Sequence, residues 1–335
     1  MQRKPLALAL AVALSLPLAA CGPRETTGDA ASAAGENGGE SVAEPAADAN
    51  PLLQPSPLPL GYPPFDRIAD QHYGPAIEQG MARQREEIAA IAGNAEAASF
   101  ENTIVAMERS GELLNRSLRI FQNLAGAHTN DVLQATQADL APKLAAHMDA
   151  ILLDGTLYAR VADLYERRTA LGLDAEQQHL LERYHTDFVR AGARLDAAQK
   201  EQLKALNAEL ASLQTRFTQN VLRETNASAV LFDSREQLAG LPEAAIEAAA
   251  AAATAAGHEG KFQIALQNTT GQPPLADMTD RDARQRLHEA SVNRGSRGGE
   301  FDNREIVARI VKLRAERAVL LGYPNHAAYV LEDAT

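Results

Sequence analysis

Residues 196–224 read DAAQKEQLKALNAELASLQTRFTQNVLRE. Leu203, Leu206, Leu210, Leu213, Phe217 and Val221 follow one another at intervals of 3, 4, 3, 4 and 4 residues. Side chains at that spacing leave one side of an α-helix, so the stretch predicts a long helix with an apolar seam for a second helix.

The same period extends outward on both sides. Residues 76–93 predict a helix opened by Pro75 and stopped at Gly93. Residues 99–126 predict a single helix capped by Ser99, with Ile104, Met107, Leu114, Leu118, Phe121 and Leu124 at near-helical spacing. Helical patterns continue over 131–154, 156–172 and 174–195, each opened by Asp or Thr, then over the alanine-rich 242–257 and finally 302–322. Only SAVLF at 228–232 and KFQIAL at 261–266 read as strands. The expected fold class is therefore mainly α, with at most a few short strands. Composition agrees: hydrophobic residues are 45%, aromatics only 4%, and Trp is absent, so Ala and Leu carry the packing. The formal net charge of −12 repels phosphate, and no nucleic-acid partner is expected.

The first 21 residues, MQRKPLALALAVALSLPLAAC, place Arg3 and Lys4 before an apolar run from Leu6 to Ala20. That run is too short for a membrane-spanning helix, which needs about 20 residues, and it matches the core of an export signal. Leu18-Ala19-Ala20-Cys21 resembles a bacterial lipobox, and Cys21 is the only cysteine. The expectation is a signal peptide over 1–20, with Cys21 acylated as the mature N-terminus and anchored in a membrane. Gly22 after the cysteine suggests the outer membrane by the same resemblance, which places the body in the periplasm. Residues 21–58 lack hydrophobic periodicity and are expected to form a flexible tether.

His288-Glu289 opens the zinc signature H-E-x-x-H, but the fifth position is Val292. A helical zinc site needs two histidines four apart so that both imidazoles reach one ion. None of the eight histidines, at 72, 128, 147, 179, 185, 258, 288 and 326, has a partner at that spacing. Leu287 and Val292 instead mark the end of a helix, with Gly295 to Gly299 turning into the next. GSRGG at 295–299 is neither a nucleophile elbow nor a phosphate loop. Thr279 or Asp280 is expected to cap a helix. Arg304, Arg309, Lys312, Arg314 and Arg317 read as a solvated helix face, and His185 as a packing histidine.

Several long stretches carry a resemblance: PPFDRIADQHYGPAIEQGMARQREEIAAIAGN, SFENTIVAMERSGELLNR, NLAGAHTND, LQNTTGQPPL and NRGSRGGEFDNREIVARIVKLRAERAVLLGYPNHAAYVLED. Together they resemble the bacterial peptidyl-dipeptidases, grouped with oligopeptidase A, thimet oligopeptidase and neurolysin, over about residues 59–335. The resemblance implies a two-lobed helical clam shell around a channel that admits short unstructured peptides. It implies zinc on a later H-E-x-x-H helix, and removal of dipeptides from a free C-terminus. Residues 59–230 would be an N-terminal helical domain and 231–335 the truncated start of the peptidase domain.

The sequence stops while an amphipathic pattern is running, so the chain reads as a fragment that lacks the zinc motif. No catalytic or metal residue is assigned to it, no zinc is expected in it, and it is predicted to be inactive and monomeric. Asn268, Gly271, Gly295, Gly298 and Gly299 are candidates for channel walls or hinges, because those residue types suit tight turns. The alternative is a complete helical envelope lipoprotein serving as a scaffold or peptide-binding module.

Overall fold

A computed structural model describes residues 50–266 and 268–333, the side chains of residues 268–272 excepted. The export segment, Cys21 and the tether up to residue 49 lie outside the described residues. Residues 50–58, expected to end the tether, are docked: Leu52 is buried beside Tyr73, Ile77 and Phe121. The Asn50 carboxamide accepts from the Leu52 N–H and donates to the His72 carbonyl at 2.8 Å.

The described chain is helical apart from one small sheet. Helices α1 (Tyr73–Ala92), α2 (Ala106–Arg109), α3 (Glu112–Ala127), α4 (Asp131–Leu152), α5 (Gly155–Glu166) and α6 (Ala175–Ala191) precede the long α7 (Ala197–Ala227). Strands β1 (Val230–Phe232) and β2 (Phe262–Ile264) pair antiparallel, Val230 opposite Ile264, with α8 (Glu243–Ala255) between them. Then come α9 (Asn268–Asp277), α10 (Arg281–Val292), α11 (Arg304–Leu320) and α12 (His326–Leu331). Asp154, Asp174, Asp196 and Asp280 cap their helices, each accepting backbone N–H bonds of the first turn.

The helix expected over 99–126 is broken. Residues Phe100–Val105 form a wider π-helical turn running into α2, and the chain reverses at Ser110-Gly111 before α3. Gly111 holds φ at +73°, and its N–H donates to the Glu87 carboxylate at 2.7 Å. The break lets α3 lie against α1 at backbone contact: a Cβ on Gly80 would stand 2.6 Å from the Leu114 Cα.

Separate apolar cores organise the body. One gathers Ile104, Leu157, Val161, Leu181 and Phe188 from the π turn, α5 and α6. Another joins Tyr73, Ile77, Phe121, Leu133 and Leu140 from α1, α3 and α4. A third closes the sheet with α8 and α10 around Phe232, Leu238 and Leu287. Helix α7 binds these parts together. Its Leu206 and Leu210 pack with Ile306, Ile310 and Leu313 of α11, and the Asn207 amide donates to Asp149 on α4 at 2.8 Å.

Candidate functional site

The segment between α10 and α11 turns on glycine. Gly295, Gly298 and Gly299 hold φ at +69°, +80° and +87°, a region that a side chain would strain. The loop is closed internally: the Asn303 N–H donates to the Gly295 carbonyl at 2.7 Å, and the Gly298 N–H to the Asp302 carboxylate at 2.7 Å. Asp302 also takes the Arg304 guanidinium at 2.7 Å, which holds its carboxyl well below the usual range.

Helix α7 fastens this loop through three buried polar residues, Asn220, Glu224 and Asn303. The Glu224 carboxylate accepts the Gly295 N–H and lies 3.4 Å from the Arg297 guanidinium. The Asn220 amide donates to the Asn303 Oδ1 at 3.0 Å, and Asn303 in turn donates to the Phe217 carbonyl at 3.1 Å. Each buried polar group here finds a partner, as burial demands.

Sequence reasoning missed Asn220 and Glu224, although the signal was present. The 3-4 rhythm of the α7 seam continues from Phe217 to 220 and 224, so these polar residues occupy core-facing positions. Phe217 and Val221, assigned to the seam, are instead 36% and 38% exposed. The face of α7 that meets α11 near its start meets a polar loop near its end.

Hollows open beside this junction: one of about 720 Å³ between the end of α7, β1 and α10, reaching Ser296 and Arg297, and two that meet at Val221 and Arg294. The larger of these two, about 550 Å³, lies between α3, the start of α4 and the last turns of α7, and Gln122, Gln134, Gln137, Thr218, Asn226 and Arg294 are among its lining. The smaller, about 350 Å³, sets Phe217, Val221 and Val307 against Gly295 and Asn303. Val221 and Arg294 border both. Neutral amides and hydroxyls with an apolar shelf suit hydrogen bonding to an extended chain.

The glycine-loop candidates thus divide. Gly295 borders the smaller hollow, while a Cβ on Gly298 or Gly299 would meet nothing within 4 Å. Asn268 and Gly271, read as tight-turn formers, fall instead within helix α9. His288 and Glu289 sit in the last turns of α10, where Gln285 donates to the Glu289 carboxylate at 2.7 Å.

The donors in the described chain do not fit a zinc ion. Among the described residues no three of His, Cys, Asp or Glu converge as a metal site would require. His147 is buried with Nε2 at 2.7 Å from Gln84 Oε1, and burial lowers its pKa. His185 stacks on Tyr165 at 3.8 Å between ring centres, a packing histidine whose pKa burial also lowers. The basic face of α11 is not wholly solvated. Arg309 makes a two-pronged pair with Glu209 at 2.6 and 2.7 Å, and Arg317 reaches Asn207 at 3.3 Å.

Residues 274–335 match the sequence profile of peptidase family M3. The chain is 44% identical to a dipeptidyl carboxypeptidase of Escherichia coli (strain K12) over 284 residues, 85% of this chain and 42% of that protein. It is 43% identical to the dipeptidyl carboxypeptidase of Salmonella typhimurium (strain LT2), with the same coverage. Oligopeptidase A of Escherichia coli (strain K12) is 26% identical over 282 residues, 83% of this chain and 41% of that protein. The chain therefore spans about two fifths of the length of the curated relatives it matches.

Proposed function

Starting from a chain related to the peptidases of family M3, we propose that it is the N-terminal portion of an exported zinc metallopeptidase that removes dipeptides from the C-terminus of short, unstructured peptides. The observation that carries this reading is the 44% identity to a dipeptidyl carboxypeptidase across 284 residues. Identity that extensive covers 85% of the chain rather than one short motif.

Within this reading the metal and the residues that activate water come from sequence beyond residue 335. The described residues offer no donor set for zinc, so no chemical step is assigned to them. The present chain contributes walls and support, and by itself hydrolyses nothing. Its location would be the periplasm, held to the outer membrane through acylated Cys21, as a monomer. The test is a blocked tripeptide or longer C-terminally free peptide incubated with the 335-residue chain and with a form extended to the full length of the relatives. Zinc-dependent dipeptide release is expected from the extended form only. Release by the 335-residue chain, or none by a folded, zinc-loaded extended form, would overturn the reading.

A further inference from the structure

The 550 Å³ hollow between α3, α4 and α7 departs from the acidic balance of the chain. The chain carries 44 acidic against 32 basic residues, yet no acidic residue is among the hollow's lining. Its walls hold carboxamides and hydroxyls: Gln122 from α3, Gln134 and Gln137 from α4, and Thr218 and Asn226 from α7. One end is cationic. Arg294 borders the hollow, its guanidinium fixed by the carbonyls of Leu266 at 2.6 Å and Ser291 at 3.1 Å. Outside the lining, Arg223 on α7 donates to the Gln134 Oε1 at 3.0 Å.

The floor is braced, whereas the rims are open. Gln219 donates to the Gln134 carbonyl at 2.8 Å and to Gln137 at 3.2 Å, which ties α7 to α4 beneath the hollow. The exposed carboxamides of Gln122 on α3 and Asn226 on α7, both in the lining, have no hydrogen-bond partner among the described residues. A carboxamide both donates and accepts, so one on each of two helices lining the same trough can serve the alternating N–H and C=O of an extended backbone. The fixed Arg294 guanidinium favours a carboxylate and disfavours an ammonium or a second guanidinium.

We propose that this trough binds an extended peptide through its backbone, at Gln122 and Asn226, and selects for a carboxylate and against lysine or arginine in the residue beside Arg294. The inference rests on the peptidase reading above and deepens it. It locates peptide contact in this half of the molecule and assigns a charge preference to it.

The experiment uses the 335-residue chain and two labelled peptides of about ten residues, built from Ala, Ser and Asn with a free C-terminus. They are identical except for a central Glu or Lys. Fluorescence anisotropy is expected to show the Glu peptide binding at least about fivefold more tightly than the Lys peptide. Salt should narrow the gap, because exposed charges are screened. A Gln122→Ala/Asn226→Ala variant, with circular dichroism and melting temperature unchanged, is expected to weaken both peptides by about fivefold or more. Equal affinity for the two peptides would overturn the proposal, as would binding indifferent to the double substitution, or no binding at all. Those failures leave the peptidase reading standing on its own assay, since cleavage by the extended form is measured separately.

Discussion

The Asn220 amide nitrogen lies 3.0 Å from the Asn303 Oδ1, joining residues 83 positions apart in a buried contact between α7 and the glycine loop. Asn303 also donates to the Phe217 carbonyl, so one side chain holds two groups of α7. Replacing it strands the buried Asn220 amide, while the Phe217 carbonyl, inside α7, keeps its helical N–H partner. Asn303→Ala is expected to cost about 1–3 kcal/mol, the desolvation of a buried donor left without a partner. Asn220→Ala should cost less, and the double variant less than the sum of the two, because they share a bond. Urea denaturation of the four proteins checks this, and strict additivity would deny the coupling.

Two helical glycines make a matched pair of opposite sign. Gly80→Ala puts a methyl group 2.6 Å from the Leu114 backbone, and α1 and α3 must separate. The expected loss is about 2 kcal/mol or more. Gly126→Ala, in α3, meets nothing within 4 Å and should stabilise by about 0.5 kcal/mol through helix propensity. Thermal melting should move in opposite directions for the two variants.

On α4, His147 and Asp149 should pull the pH dependence of stability in opposite directions. Burial lowers the His147 pKa below the ordinary imidazole value of 6.5, so the unfolded chain takes up the proton first. Stability from this group is present above that pH and is lost as pH falls from there through the folded pKa. Burial raises the Asp149 pKa above 3.8, so the folded chain holds that proton more tightly, and stability declines as pH climbs through the raised value. Asp149→Asn retains an acceptor for the Asn207 amide and cannot ionise. It should melt higher than the parent at pH 7, with the difference vanishing near pH 3. His147→Gln should flatten the decline that begins near pH 6.5.

Helix α11 carries a second apolar line besides the one packed on α7. Val307, Val311, Ala315 and Val319 recur every four residues and are exposed, Val311 at 61% and Val319 at 66%. Exposed apolar stripes drive association. Val311→Glu with Val319→Lys is expected to change stability by less than about 0.5 kcal/mol, because neither side chain is buried. The same pair should lower light scattering at high protein concentration, and unchanged scattering would clear this stripe of the effect.

Much of the fold was legible because local rules and packing agreed. The strands at 228–232 and 261–266, the Asp280 cap and the end of α10 at Val292 follow from residue type and period alone. The Gly111 reversal was hidden because the apolar period runs across it unbroken; the close approach of α1 and α3 decides it. The site was less legible. Asn220 and Glu224 keep the seam's rhythm, but only the loop packed against them explains why that face turns polar. Gln122, Gln134 and Asn226 carry no motif, and the trough exists only where three helices converge.

Helix α7 spans 31 residues, a rod of about 46 Å at 1.5 Å per residue. Such a strut behaves as a lever. A tilt of about 5° about its first turn sweeps its far end through about 4 Å. Because Asn220 and Glu224 fasten that end to the 295–303 segment, loop and trough wall would be carried together as one jaw.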